Sequence, residues 1–441
     1  MTTVEVAQKF FQEFPTYPKY KDLDIGWIIK IPSHWKFKRL KHIVGNSNVK
    51  FSDKPENLPY VGLENIESKT GRLLLENPVE EVESTVSLFQ KGDLLFGKLR
   101  PYLAKVAYPN FSGVCTTELL ILKPSHNSYG KFLCYQLLAD GFIDLVNSLT
   151  YGTKMPRVNA EQVCDLVVPL PPLEEQKSIA HFLDQATAEI DQIIDQQQQL
   201  IALLEEERTT VISHAVTKGL DPSVPMKDSG VEWLGEIPQH WEIGRLKYFW
   251  KVVDCKHRTA EYFREGIPIV STTEVKPGRL SLESTRLTSY QEFLDLSDGD
   301  RLPKKGDIIY SRNASVGSAA YVDTDQPFCM GQDVCLITSQ QKNQLFLTYL
   351  LNSPIILSQL DSLRVGSTIT RINVGQIQGF IVVCPDENEQ TVIADYLDTE
   401  TARIDEAIAN VKDQIAKLEE YRTALISDGV TGKIDVRDWD T

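Results

Sequence analysis

Two segments of this chain carry matching polar chemistry at matching places. Gly152-Thr153-Lys154-Met155-Pro156-Arg157-Val158-Asn159 and Gly366-Ser367-Thr368-Ile369-Thr370-Arg371-Ile372-Asn373 both have loop composition and both end in Arg-x-Asn. Hydroxyls, Lys, Arg and backbone N–H groups suit phosphate oxygens, whereas Arg and Asn can make paired hydrogen bonds to base edges. Thr153, Lys154, Arg157 and Asn159, with Ser367, Thr368, Arg371 and Asn373, are therefore candidate DNA contacts. Lys98, Arg100 and Tyr102, with Arg312 and Asn313 in the corresponding place, extend the set. The alternative for the two loops is a structural turn whose Arg pairs with an acidic neighbour. For 98–102 and 312–313 it is a plain solvated loop.

Catalytic chemistry is not legible. Gly92-Asp-Leu-Leu-Phe-Gly97-Lys98 fits Gly-x4-Gly-Lys, but Leu99 stands where a hydroxyl should hold Mg²⁺, and the run reads as a strand. No His-Glu-x-x-His occurs, and Cys255-x-His257 fits a surface turn better than a metal site. The seven cysteines are scattered without a Cys-x-x-Cys pair, as expected of reduced core thiols. No Asn-Pro-Pro-aromatic segment or Gly-rich cofactor loop of the adenine-methylase kind is present. Neither a catalytic residue nor a metal ligand is expected.

The elements that must position the loops come as a repeat. Ile31-Pro32-Ser33-His34-Trp35 and Arg39-Leu40-Lys41 recur 206 residues later as Ile237-Pro238-Gln239-His240-Trp241 and Arg245-Leu246-Lys247. Lys91-Gly92-Asp93 and Arg157-x-Asn159 recur at a shift of 214, so the second half carries a net eight-residue insertion. The same shift holds for Glu175-Gln176, Leu183-Asp184 and Glu205-Glu206-x-Arg208 against Glu389-Gln390, Leu397-Asp398 and Glu419-Glu420-x-Arg422. The tails match closely and the interiors hardly match, which predicts that each half reads something different. Trp35 and Trp241 are read as core residues rather than contacts.

Short apolar runs at 60–63, 73–75, 93–96, 105–108 and 119–122 read as strands, and 129–147 and 346–360 as helices, so each half is α+β. Each tail shows a coiled-coil seam: Ile179, Leu183, Ile190, Ile193, Leu200 and Leu204 in the first, Ile393, Leu397, Ile404, Val411, Leu418 and Leu425 in the second, with Gly429 ending the latter near Thr431-Gly432. Residues 174–218 would make a rod of about 65 Å at 1.5 Å per residue. Paired antiparallel, two such helices relate the halves by an approximate twofold. Two readers about one DNA turn apart, roughly 34 Å, can then share one face of a duplex.

Net charge is −15, which looks wrong for a DNA binder. Residues 174–218 hold −6 and 387–428 hold −7, leaving −2 for the rest, so the acidity belongs to the two helices. No run of about 18 apolar residues occurs and residues 1–14 do not form a signal segment, so a soluble cytoplasmic protein is expected.

Glu232-Trp-Leu-Gly-Glu-Ile-Pro-Gln-His-Trp241, Val168-Pro-Leu-Pro-Pro-Leu-Glu-Glu-Gln176 and the tails ending Ala215-Val-Thr-Lys-Gly-Leu-Asp221 and Gly429-Val-Thr-Gly-Lys-Ile-Asp435 resemble the specificity subunits of type I restriction-modification systems, from about residue 18 onward. The resemblance implies two target recognition domains separated by two spacer helices, with no catalysis in this subunit. It further implies two modification subunits that methylate adenine with S-adenosylmethionine, and restriction subunits that translocate and cut DNA with ATP and Mg²⁺. The expected partition is an extension at 1–19, recognition domains at 20–173 and 232–386, spacer helices at 174–218 and 387–428, a linker at 219–231 and a tail at 429–441. One departure is the second helix entrance, Cys384-Pro385-Asp386-Glu387-Asn388 against Leu170-Pro171-Pro172-Leu173-Glu174. A coiled-coil adaptor that binds proteins and no DNA is the competing function.

Overall fold

The computed structural model describes residues 14–23, 25–47, 50–51, 58–74, 85–283, 285–364 and 371–439. The chain divides into two compact units, residues 1–197 with 412–441, and residues 198–411.

Each unit is built on a sheet of four antiparallel strands with a fully buried inner strand, and in the second unit a fifth strand joins it parallel. In the first unit the order is Val44–Ser47, Leu119–Pro124, Leu94–Gly97, Val106–Ala107. The second repeats it as Lys251–Asp254, Val334–Thr338, Ile308–Ser311, Ala319–Tyr321, then adds Gly278–Leu280 and Val275–Lys276. Strand side chains alternate between faces, and here both faces are covered. Leu94 and Phe96 join one apolar cluster with Phe132 and Phe142, while Leu95 joins another with Val61 and Phe89. Ile308 and Tyr310 divide from Ile309 in the same way. The Gly92–Lys98 run thus contains a buried strand.

An outer sheet covers the second face, and here the units differ. Among the described residues the first has four strands, Lys50–Phe51, Val86–Phe89, Gly113–Thr116 and Tyr60–Val61. The second, among the described residues, has three, Arg286–Thr288, Ile267–Val270 and Cys329–Met330. Phe89 is followed at once by Gln90 and Lys91-Gly92-Asp93, whereas a helix, Tyr290–Leu296, separates Thr288 from Lys305-Gly306-Asp307. The inserted residues therefore fall beside the outer sheet.

The helix expected over 129–147 is two helices, Gly130–Leu138 and Asp140–Ser148, broken where Ala139 takes an extended conformation. Gly141 just after the break lets Trp27 approach so closely that an added Cβ would lie 2.9 Å from its ring. The second unit breaks likewise between Gln344–Leu351 and Pro354–Arg364, where Pro354 has no N–H to continue the ladder.

The long helices are Leu173–Lys218 and Glu387–Thr431. They run antiparallel: Asp191 meets Arg422 in one unit, and Arg208 meets Asp405 in the other. Ile179, Leu183, Ile190, Ile393, Leu397, Ile404, Val411 and Leu425 are buried. Leu200 is 41% exposed and Leu204 and Leu418 are only partly covered, while Ile194 is more buried than Ile193. The last buried apolar residue of the first cluster on this helix is Ile194 and the first of the second cluster is Ile212. Toward the middle of the helices the seam thins, although Ile408 and Val411 stay buried there. Between lie glutamines 196–199 and glutamates 205–207, polar side chains that give the seam little to bury. Gly429 does not end the second helix: it stays helical against Leu183, and the turn comes at Gly432, with φ +73°. No helix among the described residues is long and apolar enough to cross a membrane.

Candidate nucleic-acid interface

The Arg-x-Asn segments lie in corresponding settings. Val158 N–H donates to Lys98 O at 3.1 Å, and Ile372 N–H to Arg312 O at 2.9 Å. Leu99 bridges Arg157, and Asn313 bridges Arg371. Lys98, Arg100 and Arg157 are thereby brought to one edge, since Arg100 N–H also donates to Pro156 O at 2.8 Å. Arg100 holds φ +50°, which turns the chain into the Pro101–Leu103 turn and leaves Tyr102 exposed. Thr153 and Lys154 are exposed on the same loop. Ser367 and Thr368 lie outside the described residues.

Both arginines pair with acids. Arg157 Nη2 is 2.9 Å from Glu118, and Arg371 Nη2 is 2.7 Å from Asp333. Both asparagines close capping boxes: Asn159 accepts from Gln162 N–H at 2.8 Å and Asn373 from Gln376 N–H at 2.9 Å. These features are those of a structural turn. The two arginine side chains remain about half exposed, 44% and 49%, so each can still offer donors outward. Arg312 departs from expectation. It is 3% exposed, donating to Ile372 O at 3.2 Å and to Asp254. It holds the loop from beneath and presents nothing to a ligand. Asn313 donates to Asp333 Oδ2 at 3.0 Å and is half-buried. The oxygens of Asp254 are shared between Arg312 and His257, whose Nε2 lies 3.0 Å away, and Cys255 is buried.

What mounts each reader on its helix was not legible. Trp35 Nε1 donates to Glu175 at 2.8 Å and His34 Nε2 lies 2.8 Å from the same carboxylate; Trp241 and His240 repeat this on Glu389 at 2.9 and 2.8 Å. Tyr129 N–H donates to Gln176 and Asn343 N–H to Gln390, at 2.8 and 2.9 Å. Tyr135 OH donates to Asp184 at 2.6 Å and Tyr349 OH to Asp398 at 3.1 Å. The helix entrances differ as their sequences do. Asp386 Oδ1 accepts from Glu389 N–H at 3.0 Å, where the first helix has Pro172.

The first unit has one addition. Tyr17 OH donates to Glu175 at 2.6 Å, and burial followed by that carboxylate pushes its phenol pKa up. Phe14 packs on Phe182, and Asp435 N–H donates to Pro15 O at 2.7 Å.

A second repeat joins readers to helices: Glu67-x-Lys69-x-Gly71-Arg72-Leu73 matches Glu274-x-Lys276-x-Gly278-Arg279-Leu280. Both glycines hold positive φ, +79° and +82°. In the first unit Arg422 donates to Lys69 O and Thr70 O at 3.1 Å each, and Arg72 reaches Asp191 at 3.4 Å. In the second the turn borders a cavity of about 530 Å³ lined also by Arg208, Tyr349 and Asp405. The matching spacing, at a shift of 207, was the available signal.

A mounting held constant under two divergent outer sheets defines a two-part recognition protein. Residues 32–203 and 238–419 each match the type I restriction modification DNA specificity domain, and the chain belongs to that family. The MjaVIII specificity subunit of Methanocaldococcus jannaschii is 24% identical over 93% of this chain and 95% of its own length. The putative MjaX specificity subunit of the same organism is 25% identical over 98% and 99%. A chain from a structure of type I R-M complex assembly and conformational transition shares the fold, with TM-score 0.71 at 17% identity over 92% of this chain and 99% of that one. The HsdS subunit from Thermoanaerobacter tengcongensis gives TM-score 0.52 at 19% identity over 92% and 98%.

Proposed function

We propose that this chain directs a type I restriction-modification complex to an asymmetric, two-part DNA sequence, one part per recognition domain, and performs no catalysis itself. The observation that carries the two-part reading is the contrast between conserved mounting and divergent outer sheets. Trp35–Glu175 and Trp241–Glu389 seat both domains alike, while strand number and the Tyr290–Leu296 helix differ. Two modification subunits would methylate adenine with S-adenosylmethionine, and restriction subunits would use ATP and Mg²⁺. The contact edge comprises Lys98, Arg100, Tyr102, Thr153, Lys154 and Arg157 in one domain and Arg371 with Asn313 in the other, chiefly toward phosphates.

Exchanging one recognition domain for that of a relative tests this. Methylome sequencing should then show one half-site changed and the other retained. Both changing, or neither, would sink the modular reading. A complex with the modification subunit and S-adenosylmethionine that ignores DNA sequence would favour the protein adaptor instead.

A further inference from the structure

The edge shared by both halves cannot by itself explain two different targets, because its Arg-x-Asn turn, acidic partner and cap are nearly the same in each. Discrimination must lie where the halves differ, and in the second unit that region has a distinctive surface. Residues 261–266 are all exposed, including Tyr262 (47%) and Phe263 (48%), and Tyr290 of the inserted helix is 66% exposed. Three large rings left in solvent on one small region forgo burial that aromatic side chains ordinarily obtain.

The backbone beneath them is ordered. Phe263 N–H donates to Leu287 O at 2.9 Å, and Thr288 Oγ1 donates to Glu261 O at 2.8 Å. Gly266 passes so close to Thr288 that an added Cβ would lie 2.0 Å from its carbonyl oxygen. Arg286 is exposed, with its guanidinium 4.7 Å from the Tyr262 ring centroid, which restrains its orientation. Lys256 and Arg258 tie the loop's start to Asp295 and Glu292 of the inserted helix, at 3.0 and 2.6 Å.

The surface is continuous with the shared edge. The loop leaves the main sheet at Asp254, which pairs with Arg312, and Gln332 Nε2 donates to Thr259 Oγ1 at 3.2 Å. The next residue, Asp333, binds both Asn313 and Arg371. A duplex whose phosphates lie on Arg371 would therefore extend toward Tyr262, Phe263 and Arg286.

We propose that Tyr262, Phe263, Arg286 and Tyr290 form the base-discriminating surface of the second recognition domain, while the Arg371 turn positions the backbone. This rests on the DNA-specificity reading above. Arginine pairs bidentately with guanine N7 and O6, and aromatic or apolar side chains meet the thymine methyl. Glu261 and Glu265 flank the rings, and such carboxylates can accept from cytosine N4 while repelling phosphates. That charge mixture suits a base edge better than a phosphate track.

The test uses the full chain assembled with its modification subunit, selecting duplexes from a library randomised across both half-sites. Wild type should yield two motifs. Phe263→Ala, Arg286→Gln and Tyr290→Ala, each shown by thermal melting to remain folded, should keep the first motif and lose roughly tenfold preference at one or two positions of the second. Arg371→Ala should weaken all sequences alike. An unchanged second motif in all three variants, a uniform loss of affinity without a motif change, or loss of subunit assembly would each overturn this assignment. No motif from the wild-type complex would instead overturn the DNA-specificity reading.

Discussion

Arg422 and Asp191 form a buried ion pair, Nε to Oδ1 2.8 Å, with side chains 7% and 10% exposed. Arg208 and Asp405, their counterparts 214 residues away in each direction, form the same pair at 3.0 Å with side chains 39% and 57% exposed. The difference lies in what covers the pair. The Lys69-Thr70 turn places two carbonyls on Arg422, whereas Arg208 lines a cavity. Arg422→Ala is expected to destabilise the protein by about 3 kcal/mol, because it leaves two carbonyls unpaired and a buried carboxylate with only the 3.4 Å contact to Arg72. Arg208→Ala should cost less than about 1 kcal/mol. Urea denaturation of both variants checks this, and equal losses would refute it.

The Glu175 seat should be similarly unequal. Glu175→Ala leaves the buried Trp35 N–H and Tyr17 OH without an acceptor, about 1–3 kcal/mol for each. Glu389→Ala strands Trp241 without a tyrosine and at a more exposed site. A larger fall in melting temperature for Glu175→Ala is expected by calorimetry.

At the caps, Asn373→Ala and Asn159→Ala should each cost about 1 kcal/mol. Asn373→Asp keeps an acceptor for Gln376 N–H and should keep stability, yet its added charge beside the Arg371 edge should weaken DNA binding. Parallel melting and gel-shift titrations separate these effects. A variant as weak in stability as Asn373→Ala would show that the cap account is wrong.

Burial pushes the thiols of Cys115, Cys134 and Cys329 up to about 12, and all seven cysteines are buried. Thiolate, the reactive form, is then scarce near neutrality. Mass spectrometry after brief alkylation at pH 7.5 should find no modified cysteine in the folded protein and all seven after denaturation. Rapid labelling of any one contradicts the packing described.

Hydrogen bonding to Arg437 holds the Asp435 carboxyl below its ordinary 3.8. A depressed carboxylate contributes stability that is present above 3.8 and lost as pH falls through its folded value. Asp435→Asn should therefore flatten part of the acid limb of the stability curve below about pH 4 and change little near pH 7.

Much of this was legible because repetition exposes what is held fixed. Trp35 and Trp241 were readable as core, and Glu175-Gln176 and Glu389-Gln390 were visible as a matched pair. That these residues seat the readers was not, because their partners lie more than 40 residues away in the chain. Arg312 and Lys98 occupy equivalent positions and behave differently. Asp254 at the end of the paired strand draws Arg312 inward. Pattern gives the strand, and the carboxylate that the neighbouring strand brings alongside is not visible in it. Leu200 followed the heptad and was still exposed, since spacing reports which face a residue takes and not what lies against it.

The order in which the units can be completed follows from how the chain is divided between them. The second, residues 198–411, is contiguous, whereas the first is begun by residues up to 197 and closed by those from 412. Leu425, Ile426, Val430 and Ile434 belong to the same apolar cluster as Trp35, Ile179 and Leu183. During synthesis the first reader must wait, with that surface uncovered, until the whole second reader has left the ribosome. A nascent chain halted inside the second reader would then expose a sticky first one, making the earliest-made domain the last to mature.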